Sequence, residues 1–159
     1  MTTIAYREGV LAADSMLSGN DTNWGSVSKL IKSKHGAIGG AVGRLESTLE
    51  FLAWLELFDP APATDRLDFA PVCDGADGLI ITRLGRLLLW TGGRQLVLLE
   101  APFTAIGTGA KIAMGAMAAG AGAEQAVRIA REYDVYTGGR IVTLRNDAHS
   151  SPQSRSIAQ

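Results

Sequence analysis

The chain has a single cysteine, Cys73, so no disulfide can close within it and a reducing compartment is expected. Histidine occurs only at His35 and His149. With Cys73 they form no recognisable metal-ligand spacing, and neither a metal nor another cofactor is expected. No apolar run reaches the roughly 18 residues that a membrane helix needs. No charged segment followed by an apolar stretch marks a secretory signal. The expectation is therefore a cytoplasmic protein with no membrane association. Charge of one sign is also lacking. A net charge of −1 excludes the basic footprint of a nucleic-acid-binding protein. What the 159 residues do have is apolar content of 47%, enough for one domain with a sizeable core.

Residues 2–7 and 9–15 are short apolar segments broken at Glu8-Gly9, the pattern of a β-hairpin with a tight turn. Ser18 to Gly25 is rich in turn formers and reads as a loop. Strands are expected at 27–31 and 37–42, with His35-Gly36 turning between them. From Ser47 to Phe58, Leu49, Phe51, Leu52, Leu55 and Phe58 recur at three- and four-residue spacings, which predicts a helix with a wide buried face. Asp59-Pro60 stops it, and Pro60, Pro62 and Pro71 mark the stretch after it as a loop. Further strands are expected at 78–83, 86–91, 95–99 and 103–106, then helices at 110–119 and 123–133 and a strand at 140–144. The domain is expected to span 1–144, with a disordered tail over 145–159.

Strand and helix blocks alternate too coarsely for a parallel βαβ array and indicate antiparallel sheets covered by helices. Poor apolar alternation within the strands suggests sheets buried on both faces. Both features are met by an α+β fold built as a four-layer αββα sandwich.

Two short motifs invite chemistry and do not carry it. Gly107-Thr-Gly-Ala-Lys-Ile precedes a helix, but it lacks the phosphate-loop pattern and has Ile112 where a dinucleotide fingerprint needs glycine. Ser26-Val-Ser-Lys29 matches S-x-x-K, but the accompanying S-D-N and K-T-G elements are absent.

A more specific pattern lies in GVLAADS (9–15), VSKL (27–30), GGAVG (39–43), IGTGA (106–110) and DVYTGG (134–139). In order and approximate spacing they resemble the proteasome β-subunit family, particularly the bacterial HslV-type peptidase, whose mature chain begins with two threonines. The resemblance covers residues 2 to about 144 and implies the N-terminal-nucleophile hydrolase fold. It also implies that Thr2, exposed by loss of Met1, is the nucleophile of a threonine peptidase. A threonine hydroxyl needs a base beside it. The freed α-amine, with a reference pKa of about 7.7–8.0, is such a base at neutral pH. The family pattern supplies Lys29 to lower that pKa and Asp14 to fix the lysine. It gives the Gly43 N–H as oxyanion donor, Thr108 as a hydroxyl near the amine, and Asp134 and Thr137 as holders of the N-terminus. Ala41 and Val42 would border the substrate pocket. The plain alternative for each is an ordinary strand-end charge, turn glycine or helix-end residue.

The chain departs from the family in two places. The hairpin before Asp14 is shorter by a few residues, and the proline-rich stretch 59–71 stands where a second central helix would be. A homo-oligomeric ring is expected, with a second ring stacking weakly or not at all. The resemblance further implies peptide or unfolded-protein substrates and an AAA+ unfoldase partner to look for. Two other readings stay open: an amidohydrolase of a small amide, and a non-catalytic ring or scaffold subunit.

Overall fold

The computed structural model describes residues 2–58 and 70–150. Its first hairpin joins β1 (Thr3–Arg7) to β2 (Val10–Ala13). The turn is Glu8-Gly9, with φ of 50° and 77° at the two positions, the mirror-image turn that suits strand twist. The next segment corrects the expected loop. β3 (Met16–Gly19) and β4 (Thr22–Ser26) form a second hairpin around Asn20-Asp21, whose φ values are 49° and 57°. Its residues read as loop because β4 is exposed along its whole length and has no apolar face to show.

β5 is Leu30–Lys32, so Lys29 lies just before the strand rather than within it. β6 (Ile38–Gly43) leads into α1 (Leu45–Leu57). After the stretch 59–69, which lies outside the described residues together with most of the expected proline-rich loop, come β7 (Ala76–Ile81), β8 (Leu87–Trp90), β9 (Val97–Leu99) and β10 (Phe103–Gly107). Next are α2 (Ala110–Ala118), α3 (Ala123–Tyr133) and β11 (Val142–Arg145). The expected tail begins as structure. The Asn146 side chain is buried and donates to the Thr82 carbonyl at 2.8 Å, and a 3-10 helix runs Asp147–Ser150. Residues 151–159 lie outside the described residues.

Every strand pairing is antiparallel, in sheets ordered β10-β1-β2-β11 and β5-β6-β7-β8-β9 beside the small β3-β4 hairpin. Strand alternation sorts the side chains of the first sheet by size. Ile4, Tyr6 and Leu11 join Leu30, Ile38, Leu79 and Ile81 of the five-stranded sheet in one apolar cluster. Ala5 and Ala12, on the other face, meet Ala113, Met117, Ala126, Val127 and Ala130 of α2 and α3. These small residues let the helices approach the strands closely, and the spacing 123, 126, 127, 130 is one helical stripe. A third cluster places Phe51 and Leu55 of α1 against Ile80, Leu88 and Trp90.

α1 buries less than its leucines suggested. Ser47, Thr48, Phe51 and Leu55 are its buried residues, while Leu49 is half exposed. No helix among the described residues is long and apolar enough to cross a membrane.

Candidate active site

Thr2 and Thr3, at the start of β1, are held by several hydrogen bonds. The Thr2 carbonyl accepts a hydrogen bond from the Thr108 N–H at 3.0 Å. Thr3 is fully buried, and its N–H donates to Asp14 Oδ1 at 3.1 Å. Its hydroxyl oxygen accepts from the Gly109 N–H at 3.0 Å and lies 2.6 Å from Thr137 Oγ1. The glycine-rich motif thus has a structural purpose. Gly107 has φ of 100°, and a Cβ there would sit 1.7 Å from the Thr2 carbonyl oxygen; a Cβ at Gly109 would sit 2.3 Å from Thr3 Oγ1. The glycines clear room for Thr2 and Thr3 rather than for a phosphate.

On one side of this terminus is a buried ion pair. Lys29 Nζ donates to Asp14 Oδ1 at 3.0 Å and to the Met16 carbonyl at 2.7 Å. The other Asp14 oxygen accepts from the Gly138 N–H at 2.9 Å. Burial pulls the Lys29 pKa down and the Asp14 carboxylate pushes it back up, with burial prevailing. An ammonium has three protons to donate. Two are committed to these acceptors, which leaves one for the cavity beside it.

On the other side is a hydroxyl cluster. Asp134 Oδ2 accepts from Thr108 Oγ1 at 2.6 Å and from Thr137 Oγ1 at 2.5 Å, and Oδ1 accepts from the Tyr136 N–H at 3.3 Å. Burial alone would raise the Asp134 pKa, but these donors outweigh it and hold the carboxyl below its ordinary value.

Thr2 and Lys29 both line a cavity of about 90 Å3, closed by Met16, Trp24, Ala41, Gly43, Leu45 and Leu49 among others. Gly43 has φ of 118°, and a Cβ there would meet the Gly75 carbonyl at 2.1 Å, so glycine is required by the backbone whatever else it does. Ala41 borders the cavity as expected. Val42 does not: it points into the cluster between the sheets, because adjacent strand residues face opposite ways.

The fold therefore brings Thr2, Lys29 and Gly43 to one cavity, with Asp14 behind the lysine and Thr108, Asp134 and Thr137 in a second cluster reached through Thr2 and Thr3. Sequence reasoning missed Thr3, Trp24, Leu45 and Leu49. The leucines had a signal, since Leu45, Leu49 and Leu52 lie at i, i+4 and i+7, a stripe separate from Phe51 and Leu55. Among the described residues, no group of three or more His, Cys, Asp or Glu is arranged to hold a metal ion.

The fold is of the HslV type. The BPH protein of Thiobacillus denitrificans superimposes with a TM-score of 0.65 at 18% identity, over 95% of this chain and 98% of that one. The same protein in complex with epoxomicin gives a TM-score of 0.66 at 18% identity, over 90% and 96%. The eukaryotic HslV of Trypanosoma brucei gives 0.62 at 19% identity, over 90% and 97%. No protein-family model and no curated protein matches the chain.

Proposed function

We propose that this chain is a proteasome-type threonine endopeptidase in which Thr2, freed by removal of Met1, attacks the peptide carbonyl. The observation that carries this is the meeting of Thr2 and the buried Lys29–Asp14 pair at one apolar cavity. The Thr2 hydroxyl oxygen bonds to the carbonyl carbon as its proton passes to the α-amine. The Gly43 N–H stabilises the resulting oxyanion. The amine then returns the proton to the leaving nitrogen as the C–N bond breaks, and water hydrolyses the remaining ester on Thr2. The Lys29 ammonium favours the unprotonated amine, and Asp134 with Thr108 and Thr137 holds the terminus. Leu45, Leu49, Ala41 and Trp24 make the cavity suited to an apolar substrate side chain. The purified protein is expected to begin at Thr2 by intact mass and to gain one epoxomicin adduct, on Thr2 alone. A chain that keeps Met1 quantitatively and still cleaves peptides would overturn the amine-as-base mechanism.

The three apolar clusters support a four-layer reading, with α1 outside the five-stranded sheet and α2 and α3 outside the other. Assembly into a homo-oligomeric ring, serving unfolded protein delivered by an AAA+ partner, belongs to the same proposal. The Ala-rich faces of α2 and α3 are consumed within the chain and offer no surface for it. The exposed side chains of Trp24, in the cavity wall, and of Tyr133 and Val135, beside Asp134, offer apolar surface instead. Light scattering at micromolar concentration should give a multiple of the chain mass. A monodisperse monomer would rule the ring out.

A further inference from the structure

Thr3 stands next to the proposed nucleophile, and its side chain closes a hydrogen-bonded chain whose direction can be worked out. Asp134 has its pKa lowered, so at neutral pH it is a carboxylate and can only accept. Thr137 therefore spends its single hydroxyl proton on Asp134 Oδ2. The 2.6 Å contact between Thr137 Oγ1 and Thr3 Oγ1 must then use the proton of Thr3. Thr3 Oγ1 in turn accepts from the Gly109 N–H, at the start of α2. The donors run one way, from the Gly109 N–H through the Thr3 and Thr137 hydroxyls, and end on the accepting Asp134 carboxylate. Meanwhile the Thr3 N–H donates to Asp14, the partner of Lys29.

We propose that Thr3 is a positioning residue that couples the two halves of the site, holding the Lys29–Asp14 pair through its backbone and the Thr137–Asp134 cluster through its hydroxyl. This goes beyond the reading of Thr2 as nucleophile but rests on it. Each bond in the run polarises the next, so the Thr3 hydroxyl makes Thr137 a better donor to Asp134. By anchoring the Thr3 side chain it also steadies the adjoining peptide unit, whose N–H donates to Asp14, and hence where the attacking oxygen sits. Valine has the shape of threonine without the proton or the lone pairs. Serine keeps both and drops only the methyl group.

The test compares Thr3→Val and Thr3→Ser in the full chain with a peptide carrying a fluorogenic amide. Thr3→Val should lose roughly ten- to a hundredfold in kcat, the size of loss that a small misplacement of reacting groups produces, with KM within about twofold. Thr3→Ser should recover most of that loss. Amide exchange at Gly109, which needs no catalysis, should quicken in Thr3→Val and stay slow in Thr3→Ser. Unchanged kcat in a folded Thr3→Val, or equal losses in both variants, overturns the positioning role. Turnover that survives Thr2→Ala overturns the nucleophile assignment instead, and slow exchange at Gly109 in Thr3→Val would show that the hydrogen-bonded run itself is wrong.

Discussion

Two lysine–aspartate pairs, their lysines three residues apart along the chain, have nearly the same length. Lys29 reaches Asp14 at 3.0 Å, and Lys32 reaches Asp147 at 2.9 Å. Their surroundings differ almost completely: side-chain exposures are 8% and 0% in the first pair, 51% and 76% in the second. Distance alone would rank them equal. Burial makes the first pair costly to assemble and costly to break, and water screens the second. The pair at the cavity is also held by further hydrogen bonds, from the Thr3 and Gly138 N–H groups to Asp14 and from Lys29 to the Met16 carbonyl. Such a cation is held at one place, as its proposed role beside the Thr2 amine requires.

The sharpest way to break the comparison is at turnover. Lys29→Ala removes the cation beside Thr2, and activity should fall at least about a hundredfold, the lower end for losing a positioned group that governs proton transfer. Peptide hydrolysis under saturating substrate measures it. Retained turnover would show that the buried pair is only structural.

The next effect is on stability. Asp14 takes three donors, from Thr3, Lys29 and Gly138, and gives none. In Asp14→Asn one acceptor oxygen becomes an amide that confronts at least one of these donors, and the lysine loses its counter-charge. Breaking a buried pair in this manner costs about 3–5 kcal/mol, which denaturant titration resolves. A loss under about 1 kcal/mol would mean that the site admits water and that the pair behaves like a surface one.

These contrasts were only partly legible in the sequence. The Glu8-Gly9 turn and the span of α3 follow from local rules and appear where expected. Asp14 and Lys29 stood out through their flanking motifs, AADS and VSKL, and not through any property of a lone charge. A strand was expected over 27–31, yet β5 begins only at Leu30, and Lys29 lies in the irregular segment between β4 and β5. Thr3 gave no signal because a β-branched residue in a strand needs no further explanation. Its partner Thr137 is 134 residues away, and only the folded chain brings the two hydroxyls together. The β3–β4 hairpin was missed because periodicity reports burial, and β4 has none.

The smallest expected effect sharpens the comparison from its other end. Lys32 and Asp147 are both largely in solvent, and the pair ties β5 to the 3-10 helix after β11. That helix is already fastened by Asn146, which donates to the Thr82 carbonyl and whose N–H donates to the Gly9 carbonyl at 2.8 Å. Removing the ion pair therefore leaves the local fold its main attachments. Exposed pairs of this kind are worth about 0.2–1 kcal/mol, and salt reduces even that. Lys32→Ala should keep turnover within about twofold of the parent, since typical surface substitutions act within about half a kcal/mol. Its small stability loss should shrink further as ionic strength rises from about 10 mM to about 1 M, where the Debye length falls to about 3 Å. A loss of turnover comparable to that of Lys29→Ala would remove the distinction between the two pairs, and with it the assignment of Lys29 to the chemistry.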